Sequence, residues 1–404
     1  IRSRKMADRK TDLDLRWKMR KKLFKTKSGG EDEKTWRKRK LENKDRREAQ
    51  LLEQLRLAKQ QKETGESAKK KKANKKGASE EAARSRPFSV SIAVPGSFLN
   101  MSQSAELRAY TAGQIARAAT LFRVSEVIVY DETARMTDKQ VETYWAGSWY
   151  GDVPPSDSNL ESNFILTRIL EYLECPQYLR KALFWKQRAL QFAGLLNPLD
   201  AQHHLKSNDM ETRFREGVIL DKPVKAGRGP LVDVGLEKEL QIEAETPLPP
   251  GTRVTVQMGP PETDSGKRFR GQITSAKKVA EQTGLYWGYS VSIAKGIREV
   301  IDRHKFDYIF ATSAKGGSAA EVEISTLINA RVLVMFSSVA GIDAAIEADE
   351  SYEETSAENA VDSLICPVLG SGSRSSRMEE DVLLVLGSLD ARLCQLYGFN
   401  PSNS

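Results

Sequence analysis

PFSVSIAV, residues 87–94, is a β-branched, half-alternating run that ends in the Pro95-Gly96 turn, and EVIVY, residues 126–130, is a second such run closed by Asp131. Between them, Ser104–Phe122 spaces Leu107, Ala112, Ile115, Ala116, Ala119 and Leu121 at helical intervals, with Ser104 placed as the N-cap. Strand, helix and strand with buried apolar runs predict a parallel α/β unit.

Working outward, Met136–Leu160 reads as a loop-rich stretch, and Phe164–Leu173 and Pro176–Phe184 as two helices. From about Phe214 to Ala294 the period changes to two. Strands are expected at Gly217–Leu220, Gly229–Gly235, Leu240–Ala244, Arg253–Met258, Phe269–Ser275 and Leu285–Ile293, separated by turn clusters such as Pro249-Pro250-Gly251. Short strands at this spacing predict a small closed or partly open barrel of oligonucleotide-binding type. The helical and parallel pattern then returns: helix Gly296–His304, strand Tyr308–Thr312, helix Ala319–Ile328, strands Arg331–Phe336 and Ser363–Val368, and a last helix Glu379–Tyr397. The predicted fold class is α/β interrupted by an inserted all-β barrel, divided as 1–86 (tail), 87–212 (α/β, first part), 213–294 (barrel) and 295–404 (α/β, second part).

The chain has 404 residues, 39% of them hydrophobic, enough for a sizeable core. Its formal charge of +8 is unevenly placed: residues 1–86 hold 31 Lys+Arg against 14 Asp+Glu, the remainder 32 against 41. Such a tail cannot bury enough apolar surface to offset chain entropy and is expected to be disordered. Within it, Asp45–Gln61 sets Leu51, Leu52, Leu55 and Leu57 among helix formers, which reads as a solvated charged helix or one that folds on a partner. Lys69–Lys72 with Lys75-Lys76 reads as a nuclear import signal or a phosphate-binding arm, hence an expected location in the nucleus. A basic arm of this size attracts polyanions and gives affinity without sequence choice.

Cys175, Cys366 and Cys394 lack any C-x-x-C spacing, which argues against a disulfide framework and a structural zinc site; a reducing compartment and no metal are expected. No uncharged apolar run approaches the ~18 residues needed to span a bilayer, so a soluble protein is expected. The sequence opens at Ile1 and is read as a fragment.

Dinucleotide and P-loop patterns are absent: Val94-Pro95-Gly96-Ser97 offers one glycine. No G-x-S-x-G elbow accompanies His203, His204 or His304, which are assigned no role. The chemistry concentrates at strand ends of the C-terminal third. Thr312–Gly317 (TSAKGG), Ser337–Gly341 (SSVAG) and Val368–Arg374 (VLGSGSR) are all small-residue loops. Singly, each is an ordinary strand-to-helix turn; together, at the carboxyl edge of an open α/β sheet, they can line one crevice where backbone groups read a nucleoside.

The third loop runs into Arg374-Ser375-Ser376-Arg377-Met378-Glu379, and Leu369-Gly370 followed by this Arg-x-x-Arg-x-Glu is similar to the last signature of the SPOUT superfamily of knotted RNA methyltransferases, particularly the branch that makes N3-methyluridine in small-subunit ribosomal RNA. More of the chain resembles the eukaryotic and archaeal members with an inserted oligonucleotide-binding-like domain: VSIAVPGSFL (90–99), ELRAYTAGQIARAA (106–119), LECPQYLRKALF (173–184), LQFAGLLNPLD (190–200), FREGVIL (214–220) and TGLYWGYSV (283–291). The resemblance covers roughly 87–395. It implies a deep C-terminal trefoil knot, S-adenosylmethionine as methyl donor held near Thr312, Ser313, Phe336, Ser337, Gly341, Cys366, Val368, Gly370, Ser371 and Gly372, ribosomal RNA as substrate, and a homodimer that completes the site. Two departures are plain: Cys366–Arg374 is longer than the Pro-Gly-Gln-Gly-Ser-Arg-like loop of relatives, and Ser337-Ser338 stands where they have a glycine pair.

Methyl transfer from a sulfonium needs positioning more than covalent help. If uridine N3 is the acceptor, Arg374 or Arg377 is expected to carry the developing negative charge or clamp a phosphate, with Glu379 orienting one of them; the plainer reading of all three is a capped helix start. Neither Cys175 nor Cys366 is read as a methyl-transfer nucleophile, and Cys366 is read as a buried strand-end cysteine. Tyr286, Trp287, Tyr289 and Phe269 either stack bases or form the barrel core and its seam. Two rival functions stand beside the enzyme: a non-catalytic RNA-binding or ribosome-assembly factor, and a spindle-associated adaptor.

Overall fold

The computed structural model describes residues 86–149, 158–209, 212–224, 228–243, 248–260, 266–303, 306–325, 329–352 and 356–399. The tail, its Asp45–Gln61 segment, the lysine clusters and His304 lie outside the described residues.

The α/β part is one parallel sheet of six strands: β1 (Phe88–Pro95), β2 (Glu126–Tyr130), β8 (Ser290–Ala294), β9 (Tyr308–Gly317), β10 (Ala330–Met335) and β11 (Ser363–Ile365), in the order β11-β9-β10-β1-β2-β8. Alternation sorts its side chains between two layers. Val90, Ile92, Val94, Val127, Val129, Val332 and Val334 face the long helices α1 (Ala105–Leu121), α3 (Ser158–Glu174) and α9 (Met378–Leu396). Ala93, Ile128, Tyr130, Leu333 and Met335 face the short α6 (Ile297–Arg303) and α7 (Ile342–Ala348). Both faces are covered, which is why these strands read as near-continuous apolar runs. Ser104 caps α1 by accepting from the Leu107 N–H at 3.3 Å, and Ala112, Ile115, Ala116 and Ala119 are buried. Leu107 and Leu121, expected on that face, point outward instead.

Residues 214–274 supply a closed five-stranded barrel, β3 (Phe214–Ile219), β4 (Leu231–Asp233), β5 (Leu240–Ile242), β6 (Arg253–Met258) and β7 (Phe269–Thr274), closed by the parallel β5–β7 pair around Val232, Val234, Leu240, Ile242, Val256 and Met258.

Four expectations need correction. Met136–Leu160 contains a helix, α2 (Asp138–Trp145), started by a Thr137/Gln140 capping box; it buries one residue, Tyr144, too few for a periodic signal. The expected helix Ala319–Ile328 is not formed over its described residues, 319–325: a single 3-10 turn, Ala319–Glu321, gives way to irregular chain with Val322 and Ile324 buried beneath α9, and the Val322 carbonyl accepts from Arg392 Nε. Leu285–Ile293 is not a barrel strand, because only β8 forms there and it pairs in parallel with β2. A helix not foreseen, α5 (Ala276–Thr283), runs from Ser275 as N-cap to a left-handed Gly284, so the barrel's last strand ends at Thr274.

Candidate functional site

Because the sheet is parallel throughout, all six carboxyl ends lie along one edge. β9 sits between β10 and β11, so its end is where the three small-residue segments meet. The first of them is strand rather than loop: β9 continues through Thr312 to Gly317, and its pairing with β11 shifts register between Leu364 and Ile365. Gly316 crosses the β11 backbone so closely that a Cβ there would lie 2.5 Å from the Ile365 carbonyl carbon. No side chain fits at that crossing.

Thr312 and Ser337 are joined directly, the Ser337 N–H donating to Thr312 Oγ1 at 2.9 Å with their hydroxyls 3.3 Å apart. Phe336 is fully buried; its N–H donates to the Ala93 carbonyl and its own carbonyl accepts from Tyr130 Oη, both at 2.8 Å. Burial drives the Tyr130 phenol far up, so it stays a neutral donor. Ser313 is half-buried, and Gly341, at φ +88°, precedes α7 with open space where a Cβ would stand. Cys366 is tied to β9 by its N–H donating to the Gly317 carbonyl at 2.8 Å. Beyond it Val368, Gly370, Ser371 and Gly372 are exposed, and neither Gly370 nor Gly372 has any atom within 4 Å of a would-be Cβ. The backbone N–H groups of residues 368–372 make no hydrogen bond to another described residue. Thr312, Ser313, Phe336, Ser337, Gly341 and Cys366 are thus gathered at the carboxyl ends of β9, β10 and β11, with 368–372 as a freestanding loop beside them.

Arg374 and Arg377 are exposed at the end of that loop. Among the described residues no ion pair joins either to Glu379. The carboxylate that organises the start of α9 is Glu380, whose Oε2 accepts from the Arg377 N–H at 3.0 Å.

The same edge holds a device the sequence reading passed over. Asp131 is buried, and its two oxygens accept from the Thr133 N–H and hydroxyl and from the N–H groups of Arg135 and Met136, at 2.8 to 3.1 Å. It rolls residues 131–136 into a turn bordering a cavity of about 1240 Å³, with Glu132, Arg135, Lys295, Arg298 and Ser338 in its wall. The signal was an aspartate immediately after a buried strand.

His203, His204 and Cys175 fall elsewhere, while Cys366, expected to be buried, is half-buried at the end of β11. His203 is buried with Nε2 2.9 Å from a Glu174 carboxylate oxygen, and His204 Nε2 lies 2.7 Å from the Glu174 carbonyl. Burial pulls His204 down to about 4. Glu174 also pairs with Arg253, which in turn pairs with Glu216 at 2.8 Å; Glu216 accepts from Thr255 Oγ1 at 2.6 Å and from Trp287 Nε1 at 2.7 Å. Burial alone would raise the Glu174 carboxyl, but the Arg253 guanidinium and His203 outweigh it and hold it down to about 2. This network is the seam between barrel and sheet. Trp287 and Tyr289 are buried there and the Tyr286 hydroxyl donates to the Val124 carbonyl, while Phe269 packs on the barrel core, so these four aromatics serve seam and core. Burial pushes the Cys175 thiol up to about 12, which removes it as a nucleophile.

Residues 89–389 match the family described as "Putative RNA methyltransferase". The chain is similar to "Putative methyltransferase spot-1" of Caenorhabditis elegans, 48% identical over 96% of this chain and 98% of that protein. It is 41% identical to the "28S rRNA (uridine-N(3))-methyltransferase" of Mus musculus, over 79% of this chain and 80% of the mouse protein, and 39% identical to the protein of the same name from Homo sapiens, over 79% and 82%.

Proposed function

Since this chain belongs to that family of RNA methyltransferases, we propose that it methylates N3 of a uridine in ribosomal RNA, with S-adenosylmethionine as donor held at the ends of β9, β10 and β11. The observation that carries this reading is the union of three side-chain-poor segments there: Ser337 bonded to Thr312, Cys366 bonded to Gly317, and a loop whose N–H groups are unspent beside two glycines with no neighbour over them. Such backbone suits an adenosyl group, which is recognised by hydrogen bonds at its base edge and needs room for the ribose. When bound, S-adenosylmethionine would supply the methyl group on a positively charged sulfur.

The chain's own residues do the rest. Phe336, clamped by Ala93 and Tyr130, fixes the β10 end against which the donor pocket is built. Uridine N3 loses its proton on methylation, to water at the exposed loop, and Arg374 or Arg377, both unpaired with acid among the described residues, stabilises the negative charge that develops on the ring or holds the adjacent phosphate. The same reading has the C-terminal part knotted, supported by β11 lying beyond β9 and by α9 bonding back to Val322 in the β9–β10 connection. It has the barrel acting as an oligonucleotide-binding-like module. It also has two copies of the chain completing the site, supported by exposed Leu383 and Leu384 on α9 and exposed Val339 and Leu369 on the loops. A nucleolar location goes with a ribosomal substrate.

The test is nucleoside mass spectrometry of ribosomal RNA from cells lacking the protein, with calorimetry of the purified protein against S-adenosylmethionine. Loss of N3-methyluridine together with donor binding is expected. Unchanged N3-methyluridine overturns the substrate, and no heat with the donor overturns the cofactor and favours a non-catalytic RNA-binding protein.

A further inference from the structure

At the opposite, amino-terminal edge of the sheet a second cavity of about 1200 Å³ opens between the starts of β1 and β8 and the barrel-side elements β6 and α5. The length of β1 separates it from the methyl-donor segments by roughly 25 Å. Two indoles stand in its wall in the open: Trp145, 47% exposed, and Trp185, 62% exposed, whereas Trp149 and Trp287 are buried. They come from different elements, the end of α2 and the chain after α4 (Gln177–Leu183); the Trp185 ring lies over Gly147, two residues beyond Trp145, whose φ of +73° and missing side chain let that ring come within 3.1 Å of where a Cβ would be. Leaving two of the largest apolar side chains uncovered in one cleft is costly unless a partner covers them.

The charges of the cleft are not symmetrical. Its inner acids are already committed, Glu174 and Glu216 to Arg253, and Glu171 to Arg168 and the Tyr144 hydroxyl. The side chains of Arg123 and Lys277 have no ion-pair or hydrogen-bond partner among the described residues, and the remaining acid, Glu281, lies one turn from Lys277 on α5. Open indoles with uncommitted cations are the combination that binds an unpaired nucleotide strand, where every base offers a π-face and every linkage a negative charge. A duplex, whose bases are stacked internally, cannot use the indoles.

We propose that this cleft anchors an unpaired stretch of the RNA substrate, with a base stacked on Trp185 and Trp145 and its phosphates on Arg123 and Lys277, at a site distinct from the methyl-donor segments. The inference rests on the reading of the chain as an RNA methyltransferase and deepens it.

The test uses the full chain and a single-stranded oligouridylate, followed by tryptophan fluorescence, at a salt concentration of roughly 0.5 M to suppress the contribution of the basic tail. Oligouridylate is expected to quench the parent protein, Trp185→Ala to weaken binding about tenfold or more, Trp145→Ala to weaken it less, Trp185→Phe to retain most of it, and a duplex of equal length to compete poorly. Calorimetric binding of S-adenosylmethionine is expected to be unchanged in all three variants. A Trp185→Ala protein that binds donor normally and holds oligouridylate as tightly as the parent overturns the cleft, as does equal competition by duplex. A parent protein that binds neither donor nor RNA sinks the enzymatic reading instead.

Discussion

The end of β9 and the seam at Arg253 are both dense in polar groups, yet they differ in what those groups have left to give. At the seam the carboxylates are taken: Glu174 answers His203 and Arg253, Glu216 answers Arg253, Thr255 and Trp287, and the Arg253 guanidinium packed against Glu174 holds its carboxyl charged. At the carboxyl ends of β9, β10 and β11 the internal bonds are few, two of them joining the segments, and the loop beyond Cys366 keeps its donors and two bare glycines facing open space. Closed accounts of hydrogen bonding mark architecture; open ones mark a place for something from outside.

The sharpest way to break that distinction is at the seam. Arg253→Ala removes the one cation shared by two buried carboxylates and should cost roughly 3–5 kcal/mol of unfolding free energy, since the charges left behind have no replacement. Urea denaturation measures it, and a loss below about 1 kcal/mol would mean the seam is not the structural joint its bonding implies. At the open end the effect should appear in turnover and not in stability. Arg374→Ala is expected to lower methylation by about 100-fold while leaving the affinity for S-adenosylmethionine and the melting temperature unchanged; unaltered turnover removes Arg374 from the site. The smallest effect separates the two regions by acidity. His204 is held neutral by burial, with its folded value near 4 against an ordinary 6.5. The unfolded chain therefore binds that proton first, so the stability His204 contributes is complete above pH 6.5 and is lost as pH falls toward 4. His204→Asn should flatten that part of the stability curve, read by melting at a series of pH values.

Much of this was legible in the chain. The parallel sheet showed itself through β1, α1 and β2, because strands buried on both faces write unbroken apolar runs and a helix among alanines writes its own period. The barrel strand Arg253–Met258 could be read to the residue, since its alternation and flanking turns agree. What failed had local pattern at odds with its setting. Val322 and Ile324 look helical beside Ala319 and Ala320, but they are buried because α9 lies across them, a contact made from 70 residues away. The TSAKGG segment reads as a loop from its composition, and only the neighbouring β11 backbone makes it strand. Of the candidate site, Thr312 and Ser337 lay in segments picked out by their place after strands and Cys366 was named through the resemblance, and the structure joins them to one another or to β9. Glu379 was named to orient Arg374 or Arg377; at the start of α9 it is Glu380 that accepts from the Arg377 N–H, a cap that the spacing alone does not single out.

The position of β1 in the middle of its sheet sets an order of events during synthesis. Its partner on one side, β2, emerges within moments, but on the other side Phe88 pairs with Ala330. At 5–20 residues per second the ribosome needs roughly 12–50 seconds to deliver β10 after β1. The barrel strands, close together in sequence, can assemble during that interval, while an apolar strand with one bare edge waits. That edge stays open to other chains until β10 has emerged, and slowing elongation through the stretch that encodes residues 131–330 should raise the demand for chaperones.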